Sequence, residues 1–178
     1  MSKLNVDQKA IIDLLSDKKA DFLIPDYQRP YAWSEEQCQT LWDDIFLFSF
    51  PDNNYEAFDD NEEYFLGSIV TYKNKNGKSE VIDGQQRLTT LMLILRAFYD
   101  KFESMKDKNS ILTRDRIEKC IWKTDTFGTA DKNTLKIDSE VATDNDKDEF
   151  LELLRTGVVK KGSKSQYVLN YQFFQKKI

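Results

Sequence analysis

Residues 81–95, VIDGQQRLTTLMLIL, constrain this chain more than any other stretch. A short apolar strand signal stops at Asp83-Gly84, and an amphipathic helix starts at once. Leu88, Leu91, Met92, Leu95, Phe98 and Phe102 recur at helical spacing, which predicts a helix from Gln85 to about Phe102 with one core face. Upstream, YFLGSIVTYK (64–73) and SEVID (79–83) are rich in β-branched and aromatic residues. NKNG between them carries an Asn-Gly turn signal, so the pattern is a β-hairpin feeding a long helix. The fold class is therefore α/β (α+β).

The remaining elements follow from local signals. NVDQKAIIDLLS (5–16) reads as a short helix burying Ile11, Ile12, Leu14 and Leu15. DFLIP is a strand closed by Pro25, and DYQRPYAW after it is extended, because Pro30 biases Arg29 away from helix. Ser34 and Gln37 form an S-x-x-Q capping box, which starts a helix at Glu35 that runs to about Phe50. Residues 51–63 hold six acidic groups and no basic one, and read as a solvated loop. A helix is expected after Asn109, ending near Trp122, and TLKID is a short strand. Thr143 can cap a helix that ends at Gly157. Residues 165–178, capped by Ser165, are helical to the last residue, so the final helix is expected to lead on into a larger protein and invites self-association. Two units are expected: 1–105 with the hairpin and long helix, and 106–178 as a mainly helical extension.

Composition removes several function classes. The net charge of −5 argues against a broad basic face tracking a nucleic-acid backbone, but leaves room for a local basic pocket. The absence of histidine excludes His-based triads, His-containing zinc sites and HNH-type centres within these residues. Cys38 and Cys120 belong to no CxxC pair and read as reduced thiols of a cytoplasmic protein. No apolar run is long enough to cross a bilayer.

Three stretches are candidate sites. Asp83 with Gln86 can be a D-x-x-Q helix cap, which leaves Gln85 and Arg87 unexplained. Arginine in the first turn opposes the helix dipole by ~0.3–1 kcal/mol. A bound anion would reverse that sign, cradled by backbone N–H groups and one guanidinium, with Gly84 permitting close approach. The second stretch, IPDYQRPYAW (24–33), sets Gln28-Arg29 among Tyr27, Tyr31 and Trp33. It is either a packed aromatic corner or a second phosphate or base contact. The third is Leu66-Gly67-Ser68: a bulge, or a pocket floor formed by Gly67 and Ser68. Gly77-Lys78-Ser79 mimics the tail of a phosphate-binding loop, but Tyr72 stands where that pattern needs glycine and a strand follows instead of a helix. The acidic loop lacks EF-hand spacing.

IPDYQRPYAW, YFLGSIV and VIDGQQRLTTL, in this order and spacing, resemble the domain of unknown function 262 family, the N-terminal domain of GmrSD-type, modification-dependent restriction endonucleases. LKID…DKDEFLELL and SQYVLNYQFF are similar to that family's downstream pattern, so the resemblance spans nearly the whole chain. It implies a ParB/sulfiredoxin-like small mixed sheet in which a strand-to-helix turn binds nucleotide phosphates. It further implies antiphage defence, nucleoside triphosphate binding and hydrolysis, and DNA cutting by a separate C-terminal region. No nuclease region is present here, so DNA is expected as a partner only through such a region.

The resemblance places the motif on Asp83, Gly84, Gln85, Gln86 and Arg87, and its YQR part on Tyr27, Gln28 and Arg29. The expectation is one pocket in which Arg87 and Arg29 neutralise phosphate and Gln85 and Gln86 orient phosphate or water. Asp83 would hold Mg²⁺ or accept a proton, Trp33, Gly67 and Ser68 would line the pocket, and Thr89 would support the turn. A non-catalytic nucleotide- or modified-DNA-binding module is the alternative, and a nuclease domain resting on the acidic loop is a third.

Overall fold

The computed structural model describes residues 5–59 and 61–178. Its centre is a four-stranded mixed sheet in the order β2-β3-β1-β6. Strands β1 (Phe22–Ile24) and β3 (Ser79–Asp83) are parallel, β1 and β6 (Ile137–Ser139) are parallel, and β2 (Val70–Lys73) closes the hairpin antiparallel to β3. Phe22, Leu23 and Ile24 are all buried, as expected for a strand flanked on both edges. A second, two-stranded sheet joins β4 (Trp122–Thr124) to β5 (Ala130–Leu135). The expected strand TLKID therefore straddles β5 and β6, with Lys136 between them.

Helix α3 (Gln85–Glu103) is the axis of the molecule. The expected stripe of Leu88, Leu91 and Met92 is buried, but so are Leu93, Ile94, Ala97 and Tyr99 from other sides. A helix buried on most of its circumference needs partners all round. They are α4 (Lys108–Ile121), α5 (Lys147–Thr156) and α6 (Gln166–Lys177). The segment expected as a helical extension thus supplies a strand to the central sheet and three helices around α3. Both cysteines are free and buried.

Four local expectations are corrected. Helix α1 covers only Ile11–Ser16, not 5–16. Residues 5–10 are exposed (Val6 by 89%), and Ile12 faces outward. The hairpin strand begins at Val70, not Tyr64, because Gly67 turns to φ +99° and takes 66–69 out of the sheet. Helix α5 starts at Lys147, well after Thr143, since the carboxylate of Asp144 is drawn into a buried bond from the Tyr167 hydroxyl and a turn occupies 141–146. Helix α4 is capped by Asp107, whose side chain accepts from the Ser110 N–H at 3.0 Å, one residue pair earlier than expected.

Helix α2 (Glu35–Ser49) begins as its capping box requires, the Ser34 N–H donating to Gln37 Oε1 at 2.9 Å. The acidic segment after it forms two short 3₁₀ turns, Pro51–Asn53 and Tyr55–Ala57; Asp60 lies outside the described residues. Lys136 is fully buried, and its ammonium donates to the carbonyls of Leu15 (2.9 Å) and Asp17 (2.6 Å), closing the C-terminal end of α1. Burial pulls its pKa down. Among the described residues no helix is long and apolar enough to cross a membrane.

Candidate functional site

The strand-to-helix turn is built on Gly84, which sits at φ +86° and serves as the N-cap of α3. Left-handed backbone at this point directs the chain from β3 into the helix within one residue. Asp83 stays behind as the last residue of β3, paired with Val70 across the hairpin. It makes no side-chain cap, so the expected D-x-x-Q box does not form. Its carboxylate is exposed and has no hydrogen-bond partner among the described residues. A Cβ on residue 84 would stand 2.7 Å from the Ser68 carbonyl oxygen, so the turn also depends on glycine for space.

The turn opens onto a cleft of about 200 Å³ lined by Gln28, Arg29, Trp33, Ile82 and residues 83–87. The two motif segments therefore border one cavity. Helix α3 points its N-terminal end at this cleft. The first main-chain bond inside the helix is from Leu88 N–H to the Gly84 carbonyl, and the N–H groups of Gln85, Gln86 and Arg87 have no hydrogen-bond partner among the described residues.

Arg87 is half-buried. Its Nη1 donates to the Ser68 carbonyl at 2.5 Å, and its guanidinium lies on Gly67, where a Cβ would come within 2.7 Å of Cζ. Neither Arg87 nor Arg29 enters an ion pair among the described residues, and Arg29 is exposed. Two uncompensated guanidiniums and a helix N-terminus thus border a space that contains one carboxylate, Asp83.

The glutamines are placed differently from the expectation. Gln85 Nε2 donates to the Arg29 carbonyl at 2.6 Å. Gln86 accepts from the Ala32 N–H at 2.8 Å and donates to the Pro30 carbonyl at 3.1 Å. Gln28 Nε2 donates to the carbonyls of Val81 (3.2 Å) and Ile82 (3.1 Å). The Gln85 and Gln86 amides satisfy backbone groups of residues 29–32 in place of a strand ladder, while the Gln28 amide ties the same segment to the carbonyls of β3. Gln85 and Gln86 are nearly inaccessible, and their geometry is that of clamps joining the two halves of the site.

Four expected contacts lie off the cleft. Gly67 and Ser68 do not line it; they back the turn and seat Arg87 from behind. Tyr27 is 64% exposed and outside the lining. Thr89 is wholly buried, and its hydroxyl has no hydrogen-bond partner among the described residues. Trp33 does line the cleft, with part of its ring packed on the core.

Tyr31, expected only as part of the aromatic frame, and Asn170, which the sequence reading did not single out, complete the arrangement. Tyr31 is buried, and its hydroxyl bonds to Thr90 Oγ1 at 2.8 Å and accepts from Asn170 Nδ2 at 2.9 Å. Burial, with Cys38 nearby, pushes its phenol far up, so it acts as a neutral hydroxyl. Asn170 and Gln172 stand among apolar neighbours in YVLNYQFF, and a polar residue within an apolar helix stretch was the available signal.

A small mixed sheet with a hairpin turning through an arginine-bearing corner into a buried helix defines an α+β domain with an anion-compatible cleft. The model of the GmrSD restriction endonuclease N-terminal domain matches residues 11–178, and the chain belongs to that family. No curated protein matches the chain.

Proposed function

We propose that the cleft at the head of α3 binds the phosphates of a nucleoside triphosphate and hydrolyses it, as the sensing part of an antiphage, modification-dependent restriction system. The observation that carries the reading is that two guanidiniums with no ion pair among the described residues, Arg29 and Arg87, border the same cleft as the N-terminal end of α3. Each is a charge-assisted donor, and an anion between them also removes the ~0.3–1 kcal/mol by which Arg87 opposes the helix dipole. The cleft is smaller than the ~300–1,000 Å³ usual for whole ligands, which suits a phosphate chain with the nucleoside reaching out past Trp33.

Asp83 is the carboxylate available to a Mg²⁺ that arrives with the phosphates, and one carboxylate plus phosphate oxygens is a common Mg²⁺ donor set. Such an ion would neutralise charge on the transferred phosphoryl group. No group of three His, Cys, Asp or Glu that could hold a metal ion occurs among the described residues. Gln85 and Gln86 hold Arg29 and Trp33 at the cleft in this proposal, by fixing the backbone of 29–32. Catalysis would then rest on positioning and charge stabilisation.

The engagement of both glutamine amides also favours a second reading, a nucleotide-binding module without turnover. Phosphate release from GTP, ATP and CTP with Mg²⁺ separates the two. The enzyme reading expects turnover in the wild type and its loss, with the fold intact, in Asp83→Ala. Tight binding without release in any form supports the binding module, and no binding of any triphosphate contradicts both.

A further inference from the structure

One wall of the cleft is formed by residues 28–33, held by side chains from elsewhere. Two of its anchors, Gln85 and Gln86, come from α3 beside it. The third comes from α6, 137 residues further along the chain: Asn170 Nδ2 donates to the Trp33 carbonyl at 2.8 Å and to the Tyr31 hydroxyl at 2.9 Å. Asn170 is 1% exposed, and its own carbonyl accepts from Gln166 Nε2 at 3.0 Å. Both amide hydrogens and the oxygen are therefore engaged, which fixes the side chain in one orientation. One turn earlier on α6, Tyr167 stacks on Tyr31 with ring centroids 4.8 Å apart.

On the other side of the cleft α6 reaches α3 further along, where the Tyr171 hydroxyl donates to Asp100, and not at the seat of Arg87 itself. Arg87 is seated by Gly67 and the Ser68 carbonyl, neither of which is hydrogen-bonded to α6 among the described residues. The site is thus asymmetric: one guanidinium belongs to the hairpin and α3, the other to a wall held partly by α6.

We infer that Asn170 is a positioning residue, through which α6 sets the Arg29–Trp33 wall of the cleft and so the phosphate contact of Arg29. The inference rests on the nucleotide reading above and names a route by which movement of α6 alters that site. Asn170 touches no ligand itself.

The test uses Asn170→Asp and Asn170→Ala in the full chain, with two readouts. Asp keeps the volume but cannot donate to the Trp33 carbonyl. In hydrogen exchange without nucleotide, the amide of Ala32 exchanges at least about tenfold faster while α3 stays protected. In titration with a non-hydrolysable GTP analogue and Mg²⁺, affinity falls about tenfold. That loss disappears in an Arg29→Ala background and persists in full in an Arg87→Ala background. An equal loss in both backgrounds, or unchanged exchange and affinity, overturns the inference. If the wild type binds no analogue, the proposed function fails, and exchange at Ala32 alone decides whether Asn170 holds this wall. Should both Asn170 variants fail to fold, Gln166→Ala, which frees the Asn170 carbonyl, must give the same pattern at smaller amplitude; its absence overturns the inference.

Discussion

Arg87 sits where a helix disfavours positive charge, and the molecule makes specific room for it. Gly67 has no Cβ, which lets the guanidinium lie against its backbone, and the φ of +99° there is one that L side chains rarely adopt. Gly67→Ala should therefore act twice. It should lower stability by about 1–3 kcal/mol through backbone strain. It should also displace Arg87, weakening triphosphate binding about tenfold or more. Urea unfolding and titration of the same protein check both, and a variant that is destabilised yet binds normally would remove Arg87 from the site. At this scale the motif residues were legible in sequence, but their roles were only partly so. Asp83 looked like a cap because D-x-x-Q is a cap pattern, and the left-handed Gly84 that overrides it cannot be read from identity alone. Gln85 and Gln86 looked like ligand contacts because nothing local showed that residues 29–32 would need backbone partners.

The pairing of α3 with α6 carries a titratable group whose effect on stability has a definite sign. Asp100 accepts from Arg96 Nη2 at 2.6 Å and from the Tyr171 hydroxyl. Burial nonetheless raises its pKa, outweighing the opposing pull of Tyr171 and Arg96. A carboxyl whose folded pKa exceeds its unfolded value binds its proton more tightly in the native state. Its stabilising contribution is full below the unfolded pKa and is lost as pH rises through the folded one. Asp100→Asn removes that dependence, so the stability of wild type minus variant should decline as pH rises from about 4 to 7. Urea melts across that range test it, and a difference that grows with pH contradicts it. Local signals served well for α2, whose capping box forms, and for the Gly157 end of α5. They failed for the strand expected over 64–73, because β propensity in YFLGSIV cannot show that the chain leaves the sheet to pass behind Arg87.

The whole molecule closes around sequence-distant pieces: β1, β3 and β6 join residues near 23, 81 and 138 in one sheet. Parallel pairing through strands as short as the three-residue β1 and β6 leaves almost no local trace, so the sheet order was not legible, whereas the hairpin and the central helix were. Placement of β6 inside the sheet and of α6 around α3 makes residues 106–178 part of the same core. Cys38 and Cys120 report on that core. Burial pushes each thiol up to about 11 and hides it, so both should resist iodoacetamide at pH 7.5 until the protein unfolds globally. Rapid labelling of either under native conditions would mean that its part of the core opens separately.

The central claim is that the corner between β3 and α3 is a polyphosphate site. Calorimetric titration of a non-hydrolysable triphosphate with Mg²⁺ into wild type, Arg29→Ala and Arg87→Ala proteins tests it most directly. The account predicts saturable one-to-one binding per chain by the wild type, weakened about tenfold or more by each substitution and further by salt. Binding of equal strength in all three proteins would contradict it.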